Sequence, residues 1–280
     1  MCREAPLVIG DLFTHSQSWF SKTAGETREI GEQDGSVVLV PVGSVEQHGR
    51  HLPVGTDTLL ASAVTMCGVS LVEECPALVT PPVWSGYSPH HLSFGGTLTL
   101  SFDTALAVLT DIVSSALENG FDAVLLVNGH GGNGPLVGAA VSEIGAEHPD
   151  VTVTGLTYFS LAEPFIDEIR DSDPGGMAHG GEFETSLLLH LFPDLVRDGP
   201  REATPLDEPL VYGDTDLLDS GPLSVYRPFE SYSSSGAIGD PDLASAAKGR
   251  ELFDRLAEEL ATVVQALSVH VHSAETADGE

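Results

Sequence analysis

The chain has 280 residues, enough for one large domain or two small ones, and 41% of them are hydrophobic. Acidic residues number 42 against 11 basic ones, a formal charge of −31. That balance excludes nucleic acid as a partner, because no basic patch is available to neutralise phosphates. The lack of any unbroken apolar run of about 18 residues likewise argues against a membrane span. Lysine is reduced to Lys22 and Lys248. The apolar residues come in regular blocks, so a folded chain is expected rather than an acidic disordered one. An acidic, lysine-poor surface suits a cytoplasm with molar salt, where screening shrinks self-repulsion, and predicts a halophilic source. Unfolding curves in dilute buffer and in molar KCl check this: stability should rise steeply with salt, and equal stability in both would contradict it. The apolar run near the N-terminus is interrupted by Asp11 and is too short for a signal peptide, which predicts a cytoplasmic protein. Cys2, Cys67 and Cys75 are too few and too scattered for a disulfide frame or a cysteine-type zinc site.

In chain order, "SVVLVPVG" (36–43) reads as a buried strand and 57–74 as a helix. "ALVTPPVW" (77–84) reads as a second strand. Residues 86–101 form a loop with a short strand in "TLTLS". Residues 103–120 are a helix that Asp103 can cap and Gly120 can end. "DAVLLVN" (122–128) is the strongest strand, followed by a helix over 134–148 and a strand over 151–159. The acidic stretch 161–178 reads as a loop or lid, 181–196 as a helix, and 199–240 as a long surface excursion. A closing helix covers 242–271, with a frayed tail after it. The order β-α-β…α-β-α-β predicts an α/β fold with a mostly parallel sheet between helices. No repeat or linker divides it, so a single domain over 1–280 is expected, with its core at about 35–272.

Three clusters carry possible chemistry. Glu46, His48 and Asp57 follow the strand at 36–43. His130 follows the strand at 122–128, inside "NGHGGN", where glycines permit close backbone approach. "HGGEFE" places His179, Glu182 and Glu184 at a helix start. Ligands of open α/β sheets sit beyond the carboxyl ends of the strands, so the three clusters can meet on one rim. Histidine and carboxylate ligands suit zinc, manganese or iron, and a carboxylate can bridge two ions. Two such ions can hold a hydroxide and polarise a carbonyl. In an extended segment Glu46 and His48 point the same way. Each cluster also has a plainer reading. Asp57 could cap its helix, "NGHGGN" could be a tight turn, and Glu182 and Glu184 could serve the helix dipole. No GxxxxGK or GxSxG motif is present, which disfavours P-loop nucleotide and serine-hydrolase chemistry.

"GSVEQHGRHLPVGTD", "NGHGGN" and "HGGEFETS" together resemble the creatininase (creatinine amidohydrolase) family. "YSPHHLSFGGTLTLS" and "SGAIGDPDLASAAKG" are similar to later blocks of that family. The resemblance spans roughly residues 35 to 250. It implies a three-layer α/β/α sandwich and a small-molecule amide substrate cleaved at a non-peptide C–N bond. It also implies two divalent metal ions per subunit and a homo-oligomer, commonly a hexamer. By motif position, Glu46 and His130 hold one ion, His48 the other, and Asp57 bridges them. The sequence departs from creatininase proper after the motif histidine. An aromatic residue and a metal-binding glutamate are expected there, and Gly131 and Gly132 stand instead. The pocket tryptophans also lack counterparts, since Trp19 and Trp84 lie far from the third cluster.

Glu182 is the candidate replacement ligand, with a helix-start carboxylate as its alternative. The "NGHGGN" form is similar to two other branches. One removes formate from a formylaminopyrimidine ribotide; the other is a peptidase acting on the mycofactocin precursor. Arg50 is the nearest cation for a ribotide phosphate. In the implied mechanism His179 protonates the departing nitrogen. Gly131, Gly132 and His91 contact substrate, the glycines through N–H groups facing the oxyanion. Asn128, Asn133, His51 and His90 are expected to order the loops or line the mouth. A metal-binding scaffold without activity is the non-enzymatic alternative.

Overall fold

A computed structural model describes residues 6–205, 213–218 and 221–278, the last five by backbone alone. Cys2 therefore lies outside the described residues, as do 206–212 and 219–220 of the excursion. Four strands form one sheet: β1 (Val37–Val42), β2 (Ala77–Val79), β3 (Ala123–Asn128) and β4 (Thr152–Thr157). Their order is β2-β1-β3-β4 and every pair is parallel, with Val37 opposite Ala123 and Val42 opposite Asn128.

Alternation along β1 divides the core. Val37 and Leu39 face one layer; Val38, Val40 and Val42 face the other. The first layer holds α3 (Thr56–Ser70), α6 (Glu182–Leu191) and α7 (Ala246–Asp278). The second holds α4 (Phe102–Leu117) and α5 (Gly134–Glu147). The α/β/α sandwich and its parallel sheet are thus as expected. Buried on both faces, β1 and β3 must be apolar throughout, which is why they read so clearly as strands. Pro41 is tolerated in a central strand because its missing N–H falls on the β2 side, beyond Val79. Its carbonyl there accepts from Val83 N at 2.9 Å. The close approach of α3 to α7 uses Gly68, where a Cβ would come within 2.8 Å of Leu260.

Several boundaries shift. β2 stops at Val79 because Pro81 and Pro82 offer no N–H, and pairing resumes only as the isolated bridge Val42–Val83. "TLTLS" contributes one bridge, Val45–Leu98, and no strand. Ser101, not Asp103, caps α4; its Oγ accepts from Thr104 N at 3.3 Å. Residues 161–178 are not an exposed lid: Ala162, Phe165, Ile169 and Met177 are buried in the α7-side core. Two short helices, α1 (Ile9–Thr14) and α2 (Ala24–Gly31), precede β1 where no element was expected. The closing helix continues to Asp278, through most of the tail expected to fray. Among the described residues, no helix is long and apolar enough to cross a membrane.

Candidate metal centre

The loop after β1, the first turn of α3, the loop after β3 and the start of α6 converge beyond the carboxyl ends of β1 and β3. Glu46, His48, Asp57 and His130 are all buried. Asp57 stands at the second position of α3 and makes no cap; Gly55 occupies the cap position. Its carboxylate instead faces both ways. Oδ1 lies 3.0 Å from His48 Nε2, and Oδ2 lies 3.4 Å from His130 Nδ1. Glu46 Oε1 lies 3.1 Å from His130 Nδ1. Three groups of donors could hold an ion: Glu46, Asp57 and His130 on one side, His48, Asp57 and Glu184 on the other, the two sharing Asp57, and a third of Glu46, His48 and His179.

Glu184, rather than Glu182, completes the second set. Its Oε1 lies 3.5 Å from His48 Nε2, and its Oε2 accepts from Gly180 N at 2.6 Å. Glu182 is turned away from the cluster. It accepts from Asp171 N and Ser172 N at 3.1 and 3.0 Å and pairs with Lys248 Nζ. Two residues apart on a helix, the two side chains point about 200° apart, so one site can take only one of them. Gly132 offers no side chain, and with His130 where it stands a Cβ there would lie 2.4 Å from His130 Nε2.

The outer hydrogen bonds fix which nitrogen of each ring faces the cluster. His48 Nδ1 donates to the Glu46 carbonyl at 3.1 Å, leaving Nε2 toward Asp57 and Glu184. His130 Nε2 meets Ser88 Oγ at 3.1 Å, leaving Nδ1 inward. Ser88 continues to Ser44, whose Oγ donates to Glu46 Oε2 at 3.0 Å. His179 Nε2 donates to the Gln47 carbonyl at 2.6 Å, so its Nδ1 faces Glu46, 3.7 Å away. Asn128 holds the β3 loop through His130 N and O, and Asn133 holds it through Gly43 O and Tyr87 N. His51 bonds Thr185 at 2.9 Å, and Arg50 is exposed and paired with Glu202, aimed at nothing in the cluster. His91 is fully buried, 3.3 Å from Glu46, not at the mouth. Ser44, Gln47, Ser88 and Glu184 were not singled out as site residues. Only Glu184 carried a signal, its place in "HGGEFE".

Close approach without hydrogen bonding is the telling feature. Glu46 Oε1, His48 Nε2, Asp57 Oδ2 and His91 Nε2 are buried and have no hydrogen-bond partner. Such atoms are costly unless something else satisfies them. They crowd one another without hydrogen bonding, which fits divalent cations held by nitrogen and oxygen donors. Electrostatics agree. Burial and the Glu46 charge push Asp57 up to about 7. His130 rises to about 8 because Glu46 and Asp57 outweigh its burial, and His48 is raised well above its usual value by Asp57 and Glu184. Glu46 is held well below the carboxylate range by His130 and His91 despite burial. Protons on His48 and His130 offset the buried carboxylates. A pH dependence follows. His130 titrates near 6.5 unfolded and near 8 folded, so its stabilisation is full below 6.5 and lost as pH rises through 8. The metal-free protein should lose about 1 kcal/mol from this group between about pH 7 and pH 9. Metal-loaded protein, in which His130 would be a neutral ligand, should not show this loss. Unfolding curves at both pH values, with and without chelator, measure the difference.

A sequence model of the creatininase family (Creatinine amidohydrolase) matches residues 21–264. The chain belongs to the creatininase family. The mycofactocin precursor peptide peptidase of Mycobacterium ulcerans (strain Agy99) is 34% identical over 231 residues, covering 79% of this chain and 82% of the relative. That of Mycolicibacterium smegmatis (strain ATCC 700084 / mc(2)155) is 36% identical over 221, covering 78% and 79%. The creatinine amidohydrolase of Pseudomonas putida is 28% identical over 252, covering 82% and 88%. A solved structure of creatininase, "Creatininase Mn", superposes with TM-score 0.76 at 26% identity, covering 90% of this chain and 98% of that one.

Proposed function

We propose that this creatininase-family chain is a metal-dependent amidohydrolase that cleaves a C–N amide bond outside ordinary protein chains. Two divalent ions, of zinc, manganese or iron, would be held by Glu46, Asp57 and His130 on one side and His48, Asp57 and Glu184 on the other. The observation that carries this reading is Asp57: one buried carboxylate with an oxygen toward each histidine. When bound, such ions supply Lewis acidity for the amide carbonyl and lower the pKa of water. The chain's own groups supply the rest. His179 is kept neutral, down to about 3, by burial and by His48. Its inward Nδ1 is therefore a proton acceptor first and a donor to the leaving nitrogen second. The Gln47 carbonyl orients that ring. Ser44 and Ser88 hold Glu46 and His130 in place.

A second reading, a terminal amide of a short peptide, is favoured by the higher identity to the peptidases than to the amidohydrolase. Turnover in molar KCl with added metal tests both. Creatinine, a formylaminopyrimidine ribotide and a short peptide are offered side by side. Cleavage of either small molecule supports the first reading, and peptide cleavage alone supports the second. The family relationship also supports a homo-oligomer, which light scattering measures.

A further inference from the structure

The chemistry above leaves residues 228–240 without a role, yet they are built into the site. At one end Gln47 Nε2 donates to the Gly236 carbonyl at 2.9 Å, and Ile238 N donates to the His179 carbonyl at 2.8 Å. Gly236 has φ 92°, and a Cβ there would meet Gln47 Oε1 at 1.9 Å, so this seam admits glycine alone. At the other end Ser93 Oγ donates to Glu230 Oε2 at 2.5 Å, tying the strap to the turn that carries His90 and His91. Between these anchors the Phe229 ring lies on His91 at 4.1 Å and on His179 at 4.7 Å, with His90 at 6.0 Å. Phe229 is only half-buried, so part of the ring remains available. On the far side, His90 stacks on His130 at 5.7 Å. Beyond it Gly131 is exposed, and a Cβ there would meet nothing within 4 Å. The site therefore has an aromatic wall on one side and an open edge on the other.

We propose that Phe229 determines specificity: its ring takes the planar or apolar group that flanks the scissile bond, and the remainder of the substrate leaves over Gly131. The inference rests on the metal-site reading above for the position of that bond. An offset ring against ring, with burial, favours an aromatic substituent over a methyl by about tenfold or more.

Calorimetry on the metal-loaded full chain in molar KCl tests it, with acetohydroxamate and benzohydroxamate as probes. They share one metal-binding head and differ only in methyl against phenyl. Wild type should bind benzohydroxamate at least tenfold more tightly. Phe229→Ala should bring the ratio near unity, Phe229→Leu should lower it partway, and Phe229→Tyr should keep it. Metal content, measured alongside, should be unchanged in all three. A ratio unaltered in Phe229→Ala and Phe229→Leu overturns the role of the ring. Failure of wild type to bind either probe overturns the metal-site reading beneath it.

Discussion

Replacing Asp57 by alanine is expected to abolish metal binding and turnover together while leaving the fold intact. Asp57 offers one oxygen to each histidine, so its loss opens both ligand sets at once. Turnover should fall by about a thousandfold or more, as when a group acting only with its partners is removed. Stability should move the other way. Burial and Glu46 push this carboxyl up to about 7, so at neutral pH and above the metal-free chain carries a strained anion. Removing it should raise the melting temperature of metal-free Asp57→Ala, or at least not lower it, because the site trades stability for function. The same variant should lose the stabilisation that added metal gives wild type. Metal analysis, turnover and melting curves on one preparation read all three. An active, metal-free Asp57→Ala would end the two-ion account.

The second large effect separates two glutamates that sit two residues apart. Glu184→Gln should keep the contact to Gly180 N but lose the anionic ligand beside His48. One ion per chain should be lost, with turnover down by about a hundredfold or more. Glu182→Gln should leave metal content unchanged. Its cost is structural: Glu182 is fully buried, pairs with Lys248 and accepts two backbone N–H groups. Breaking such a pair costs about 3 kcal/mol, read as a lower melting temperature. If Glu182→Gln loses metal and Glu184→Gln does not, the ligand set drawn above is wrong.

This pair also marks how far the sequence could be read. The strands at 37–42 and 123–128 were plain because a parallel strand buried on both faces is apolar at every position. Glu46, His48, Asp57 and His130 were legible because they follow those strands, where α/β sheets place their sites. Choosing between Glu182 and Glu184 required the helix phase. Both lie in the first turn, and the dipole favours both. Phe229 lay further out of reach. It is about a hundred residues from His130 in sequence and comes to the site through two anchors, Ser93 and the His179 carbonyl, that no local pattern encodes. The short helices before β1 escaped for another reason: α1 and α2 are six and eight residues long, too brief for periodicity to register.

The most direct measurement is metal occupancy: crystals of wild type grown with manganese, with anomalous scattering collected at the metal edge. The account predicts two peaks per chain, both touching Asp57, one beside His130 and Glu46 and the other beside His48 and Glu184. A single peak, or a second one on Glu182, would contradict it.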